Sequence, residues 1–244
     1  NTDPHEYEPR PSDVRAIVNA RVVLASGDGL DSWIGDVVRQ SGRSPRRLDL
    51  GGAVPVRRAG DPHWWHDPRN ARAAVAAIRG AFAQADPRHA REYAANARRY
   101  IARIDALDRG IARCFASVPS GRRKLVTDHD AFGYFANRYG IQVIGAVIPS
   151  QTTEAQPSAG DSARLAALIQ REHVRAIFPE HSLPSDLADA LAGQTGASAQ
   201  YHLYGDTLGP KGSSGDTWLR MEAANADAMV RGFTGGARGC GAEA

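Results

Sequence analysis

Four short segments of this 244-residue chain carry side chains able to hold a metal ion. They are Asp3-Pro4-His5, Asp61-Pro62-His63, Asp128-His129-Asp130 and Gly205-Asp206. Three imidazoles and one carboxylate are the donor set of a four-coordinate zinc ion, with imidazole nitrogens about 2.0–2.1 Å from the metal and a carboxylate oxygen completing the tetrahedron. Filling all four positions with protein leaves none for an activated water, which suits a carrier or structural ion better than a catalyst. No His-x-x-x-His or Cys-x-x-Cys spacing gathers these residues locally. A lone histidine in a loop is more often simply solvated, so the chemistry depends on a fold that brings distant segments together.

The element that must do so is a long helix. Ala90, Tyr93, Ala97, Tyr100, Ile101, Ile104, Leu107, Ile111 and Phe115 recur mostly three or four residues apart, which predicts one helix over 86–116. Asp86 is placed to cap it, Pro87 to open it, and Pro119 and Gly121 follow its end. At 1.5 Å per residue it would extend about 45 Å, enough to link two lobes. The expected organisation is an N-terminal lobe over 1–85, a linking helix over 86–117 and a C-terminal α/β lobe over 118–244. Before the helix the pattern predicts helices over 12–20, 30–40 and 69–84, with short strands over 21–25 and 46–50. After it, strands over 124–127, 141–148, 174–178 and 199–204 alternate with helices over 131–139, 162–172, 184–192 and 218–232. Such alternation implies parallel strands with right-handed crossovers and helices on both faces. Ligands bind beyond the carboxyl ends of such strands. His129 and Asp206 each follow a predicted strand, so both fall at that edge.

Composition narrows the function classes. A hydrophobic fraction of 42% is ordinary for a folded domain. No apolar run approaches the roughly 20 residues of a membrane-spanning helix. The net charge of +3 is nearly all arginine, Lys124 and Lys211 being the only lysines. These arginines are scattered among Asp and Glu on helical patterns, which reads as solvated helix faces and not as a nucleic-acid stripe. Cys114 and Cys240 are open to two readings, one disulfide in an exported protein or two unrelated thiols. The Gly-rich tail from Thr234 is expected to be mobile unless Cys240 pins it. No signal-peptide pattern is present, as in a mature or trimmed form, so its absence does not argue for the cytoplasm.

Longer motifs carry a family resemblance. Asp3-Pro4-His5-Glu6-Tyr7 runs into Arg10-Pro11-Ser12-Asp13, and Asp61-Pro62-His63-Trp64-Trp65 into Asp67-Pro68. His129-Asp130-Ala131-Phe132-Gly133-Tyr134-Phe135 and Gly205-Asp206-Thr207-Leu208-Gly209 follow the long helix. In this order the motifs resemble the zinc-binding solute receptors of ABC transporters, cluster A-I, of the ZnuA and AztC type. The resemblance implies an α/β fold of two lobes with mostly parallel sheets, joined by a backbone helix, with the metal site in the interlobe cleft. It implies His5, His63, His129 and Asp206 as ligands and Zn²⁺ as the ion. Manganese receptors of the cluster carry Glu where this chain has His129, and imidazole suits zinc where carboxylate suits manganese. It further implies a periplasmic or extracytoplasmic monomer without enzymatic activity that passes zinc to a membrane permease, with a zinc metallochaperone as a candidate loading partner and no nucleic acid. Family members begin with a strand–helix–strand unit ahead of the first motif, so the N-terminal lobe is expected to be incomplete and short of strands. The metal-collecting loop of many zinc receptors is absent or reduced to His66, and the tail cysteine has no counterpart that can be placed.

Other residues stand between roles. His66 is expected to be exposed, ahead of assisting His63 or acting as an entry ligand. Asp130 either orients an imidazole or caps a helix, and Glu180 either accepts a bond from a ligand or caps the helix after it. Trp64 and Trp65 are expected in interlobe packing, and His89, His173, His181 and His202 at the surface or in local hydrogen bonds. The segment 205–215, with Gly209, Gly212 and Gly215, is expected to loosen when metal leaves. The rival functions are a manganese receptor or metal-linked adhesin of the same fold, or a zinc-dependent hydrolase in which water replaces one ligand and Glu180 or Asp130 serves as base.

Overall fold

The computed structural model describes residues 3–242. The chain divides into two compact units, Pro4–Ile104 in one and Asp3 with the chain from Asp105 onward in the other, so the division falls inside the long helix.

In the first unit α1 (Pro11–Asn19), β1 (Val22–Ala25), α2 (Trp33–Gln40) and β2 (Arg46–Asp49) form a strand pair flanked by helices. The strands run parallel, from Val22 opposite Arg46 to Ala25 opposite Asp49. This lobe therefore holds two strands, at the places that the apolar run of 22–25 and the stretch after Pro45 predict. Val23 and Ala25 point the same way, as alternate strand residues must, and bury against Ile34 with Ile17, Trp33 and Val38 around them. The loop after β2 leads to α3 (Pro68–Ala85). Its start is fixed by the Asp67 carboxylate, which accepts the Arg69 N–H at 2.9 Å, and by Pro68 at the first helical position.

The long helix, α4, spans Ala90–Ala116. Ahead of it Pro87–His89 is a single 3₁₀ turn. Asp86 does not cap it with its side chain, because that carboxylate lies against His89 Nδ1 at 2.6 Å and takes the Tyr93 hydroxyl at 3.0 Å. Ala97, Ile104, Leu107, Ile111 and Phe115 are buried, the stripe that the periodicity predicts.

In the second unit β3 (Lys124–His129), α5 (Gly133–Tyr139) and β4 (Gln142–Ile148) form a parallel strand–helix–strand unit, followed by α6 (Ala159–Arg171), α7 (Asp186–Thr195) and α8 (Trp218–Thr234). The expected strands over 174–178 and 199–204 are not continuous. They make single parallel bridges, Phe178 to Thr127, Ala176 to Ser198 and Glu180 to Leu203. Pro179, which has no N–H to give, sits in the middle of this stretch, yet the parallel order is kept. Ile177 and Phe178 serve opposite faces. Ile177 joins Val126, Leu165, Ile169 and Leu191 in one core. The Phe178 ring meets Phe233, which meets Phe115, which stacks on Tyr139, so α4, α5 and α8 share the other. Gly232 allows α8 this close, since a Cβ there would overlap the Phe178 ring. Cys114 and Cys240 are joined in a disulfide with Cα atoms 5.4 Å apart, which pins the Gly-rich tail to the end of α4.

Candidate metal centre

The first unit presents His5 and His63 with ring centroids 5.5 Å apart, edge to face. His63 is buried, and Asp61, two residues before it, holds it twice. Asp61 Oδ1 accepts the His63 backbone N–H at 3.0 Å and lies 2.9 Å from Nδ1, while Oδ2 accepts Arg58 Nε at 3.0 Å. A carboxylate on Nδ1 fixes the proton there and leaves Nε2 as the nitrogen able to serve a metal. Sequence reasoning missed this role of Asp61, although a carboxylate two residues before a candidate ligand was a signal for it. In Asp-Pro-His at 3–5, Asp3 Oδ2 accepts the Thr153 hydroxyl at 2.5 Å.

Neighbouring motif residues anchor these loops. Tyr7 donates its hydroxyl to Asp13 at 2.6 Å, and Asp13 also accepts the Arg10 N–H at 2.8 Å, so the chain after His5 is tied to the start of α1. Trp64 donates its indole N–H to Ser26 O at 3.0 Å, a bond inside the first unit. His66 is buried, contrary to the exposure expected of it. The 3₁₀ turn Trp64–His66 folds it inward, with its N–H bonded to His63 O at 3.2 Å and its ring 5.6 Å from Trp65.

The second unit brings together His129, Glu180 and Asp206. His129 is the last residue of β3, which runs two residues past the expected end, and so stands at the carboxyl edge. Glu180 reaches that edge through its bridge to Leu203, with its backbone N–H bonded to Asp128 Oδ2 at 2.7 Å. Its Oε1 lies 2.6 Å from His129 Nδ1, and Asp206 Oδ2 lies 3.2 Å from His129 Nε2. Glu180 therefore holds the imidazole and does not cap α7, whose N-cap is Ser185. The N-cap of α5 is Phe132, and the Asp130 carboxylate accepts the Gln151 amide at 2.7 Å.

Burial alone would depress the His129 pKa, but the carboxylates of Glu180 and Asp206 override it and hold the imidazole up at about 11. Burial pushes Asp128 up to about 7, with the Glu180 charge adding to it and the Glu180 N–H opposing it. Without metal His129 is thus an imidazolium clamped between two carboxylates.

The loop carrying Asp206 closes on itself. Gly209 N–H bonds Gly215 O at 2.8 Å, and Gly212 N–H bonds Asp216 at 2.9 Å. The other histidines serve locally: His89 lies on Asp86, and His181 stacks on Tyr204 at 4.2 Å with His202 at 5.3 Å. His173 takes a positive φ of 52° just past α6.

Over residues 1–232 the chain matches the family model ZnuA, zinc-uptake complex component A, periplasmic. It is 32% identical over 240 residues to the zinc-binding protein TroA of Treponema pallidum (strain Nichols), covering 93% of this chain and 77% of that protein. It is 29% identical over 240 residues to the manganese-binding lipoprotein MntA of Halalkalibacterium halodurans, covering 95% of this chain and 78% of that one. The solved structure of the periplasmic zinc-binding protein TroA from Treponema pallidum shares the fold with a TM-score of 0.87 at 32% identity, over 95% of this chain and 87% of that chain. The two-lobed α/β architecture with parallel strands and a long helix is the one these comparisons show.

Proposed function

Because the chain belongs to the zinc-uptake complex component A family, the metal-binding solute receptors of ABC transporters, we propose that it captures Zn²⁺ outside the cytoplasm and delivers it to a membrane permease. The family consists of solute-binding proteins and not enzymes, so the hydrolase reading falls away. The proposed ligands are His5 and His63 from the first unit and His129 and Asp206 from the second. Three imidazoles and a carboxylate form a closed tetrahedral zinc set, and a closed set carries an ion without activating water.

Family membership by itself does not choose the ion, since one relative is named for zinc and another for manganese. The observation that favours zinc is the imidazole of His129, held with Nε2 toward Asp206, at the position where the resemblance places a Glu in manganese receptors. The periplasmic or extracytoplasmic location, the permease and a loading metallochaperone follow from the same reading.

The test is a titration of metal-stripped protein with Zn²⁺ against a chromogenic chelator of known affinity, repeated with Mn²⁺. One tightly bound zinc per chain with little competition from manganese supports the assignment. Preference for manganese would make this a manganese receptor of the same fold, and binding of neither ion would remove both the zinc and the manganese readings.

A further inference from the structure

Resting on the zinc-receptor reading, we propose that Glu180 is the positioning residue that presents His129 Nε2 to the ion, and that residue 205 is glycine to make room for it. His63 and His129 each carry a carboxylate on Nδ1, and they differ in how that carboxylate is balanced. Asp61, behind His63, shares its charge with the Arg58 guanidinium at 3.0 Å. Glu180, behind His129, is fully buried, and its second oxygen, Oε2, has no hydrogen-bond partner among the described residues. Its negative charge is therefore directed through Oε1 into the His129 ring. A carboxylate on the far N–H fixes the tautomer and the ring plane and makes the metal-facing nitrogen a stronger donor.

Gly205 borders the same carboxylate. A Cβ built there would overlap Glu180 Oε2 and approach Cδ to 2.9 Å. With the Glu180 backbone N–H tied to Asp128 at 2.7 Å, the part of Glu180 that must move is the carboxylate that holds His129. Any side chain at 205 thus trades directly against the contact between Glu180 and His129. Gly205 also adjoins Asp206, so this contact sits between two proposed ligands of the second unit.

The experiment is a mutant cycle on the full chain, read by zinc competition against a chelator, by the melting temperature of the metal-free protein, and by the Co²⁺ d–d spectrum. Glu180→Ala is expected to weaken zinc about 10–100-fold, the range for removal of such a partner. Glu180→Gln should lose less, because an amide oxygen still accepts the Nδ1 proton. Gly205→Ala should weaken zinc comparably, yet add nothing in the Glu180→Ala background, where the overlap is gone. The tetrahedral Co²⁺ bands should survive in every variant, since the ligands are unchanged. Zinc-loaded wild-type protein should show a slowly exchanging His129 Nδ1 proton in ¹⁵N-resolved NMR, a readout that needs no variant to fold. Wild-type affinity in Glu180→Ala, an undiminished Gly205→Ala loss in the double variant, or no protected Nδ1 proton would overturn the proposal while leaving the receptor reading intact. A change in cobalt coordination in Glu180→Gln would also overturn it, by making Glu180 a ligand. Absence of zinc binding by the wild type would remove both readings.

Discussion

Glu180 and Asp206 act on opposite nitrogens of His129, and without metal both favour the imidazolium. Glu180 on Nδ1 orients the ring, while Asp206 at 3.2 Å helps retain a proton on Nε2, the proposed metal-binding atom. With the folded value raised to about 11 against an unfolded 6.5, the protonated ring stabilises the metal-free fold fully below pH 6.5. That contribution is lost as pH rises through 11. Across this window zinc must expel the proton, so calorimetry at pH 7.5 in buffers of different ionisation enthalpy should show at least about one proton released per zinc. Zinc affinity should fall as pH falls, because each proton bound at a ligand competes with the metal. The same geometry governs the swap toward manganese. His129→Glu would set a second buried carboxylate against Glu180, and two carboxylates sharing a site do not both ionise. The single variant should lose zinc without gaining manganese, whereas His129→Glu with Glu180→Gln should bind Mn²⁺ measurably in the same competition assay.

At the scale of elements, α4 was legible because its buried residues keep helical spacing without interruption, and the two short strands of the first unit because each lies between turn residues. What escaped the sequence depends on partners distant in the chain. The ladders at 174–178 and 199–204 shrink to single bridges because their pairing is set by β3 and by Pro179, not by their own apolar runs. The inward turn of His66 comes from a 3₁₀ turn that no periodicity marks, and the choice between the two roles offered for Glu180 is decided by a histidine 51 residues away. Two energetic tests belong here. Phe115 is the ring on which Phe135, Tyr139 and Phe233 converge, so Phe115→Ala should cost about 3–5 kcal/mol in urea unfolding. The Cys114–Cys240 disulfide joins residues 126 apart, and its loss through Cys240→Ala should cost about 2–5 kcal/mol. Reductant should lower the wild-type midpoint toward that variant and leave the variant unchanged.

At the scale of the whole molecule, each unit has its own buried core and each is proposed to supply two ligands. An ion that binds only the folded form stabilises it by about 2.7 kcal/mol at a free concentration of 100 Kd and about 4.1 kcal/mol at 1,000 Kd. Where that stabilisation is felt depends on which residues hold the ion. Hydrogen exchange followed peptide by peptide, with and without Zn²⁺, should therefore slow in two places, around 61–66 in the first unit and around 203–216 in the second. The second stretch is already closed by the bond from Gly209 to Gly215, so its metal-free exchange reports how readily that loop opens once Asp206 is released. Protection confined to the second unit would mean that His129 and Asp206 hold the ion without His5 and His63, and the four-ligand assignment would fail. Unchanged exchange over 205–215 would instead leave the ligand set standing and remove this loop as the segment that lets the metal go.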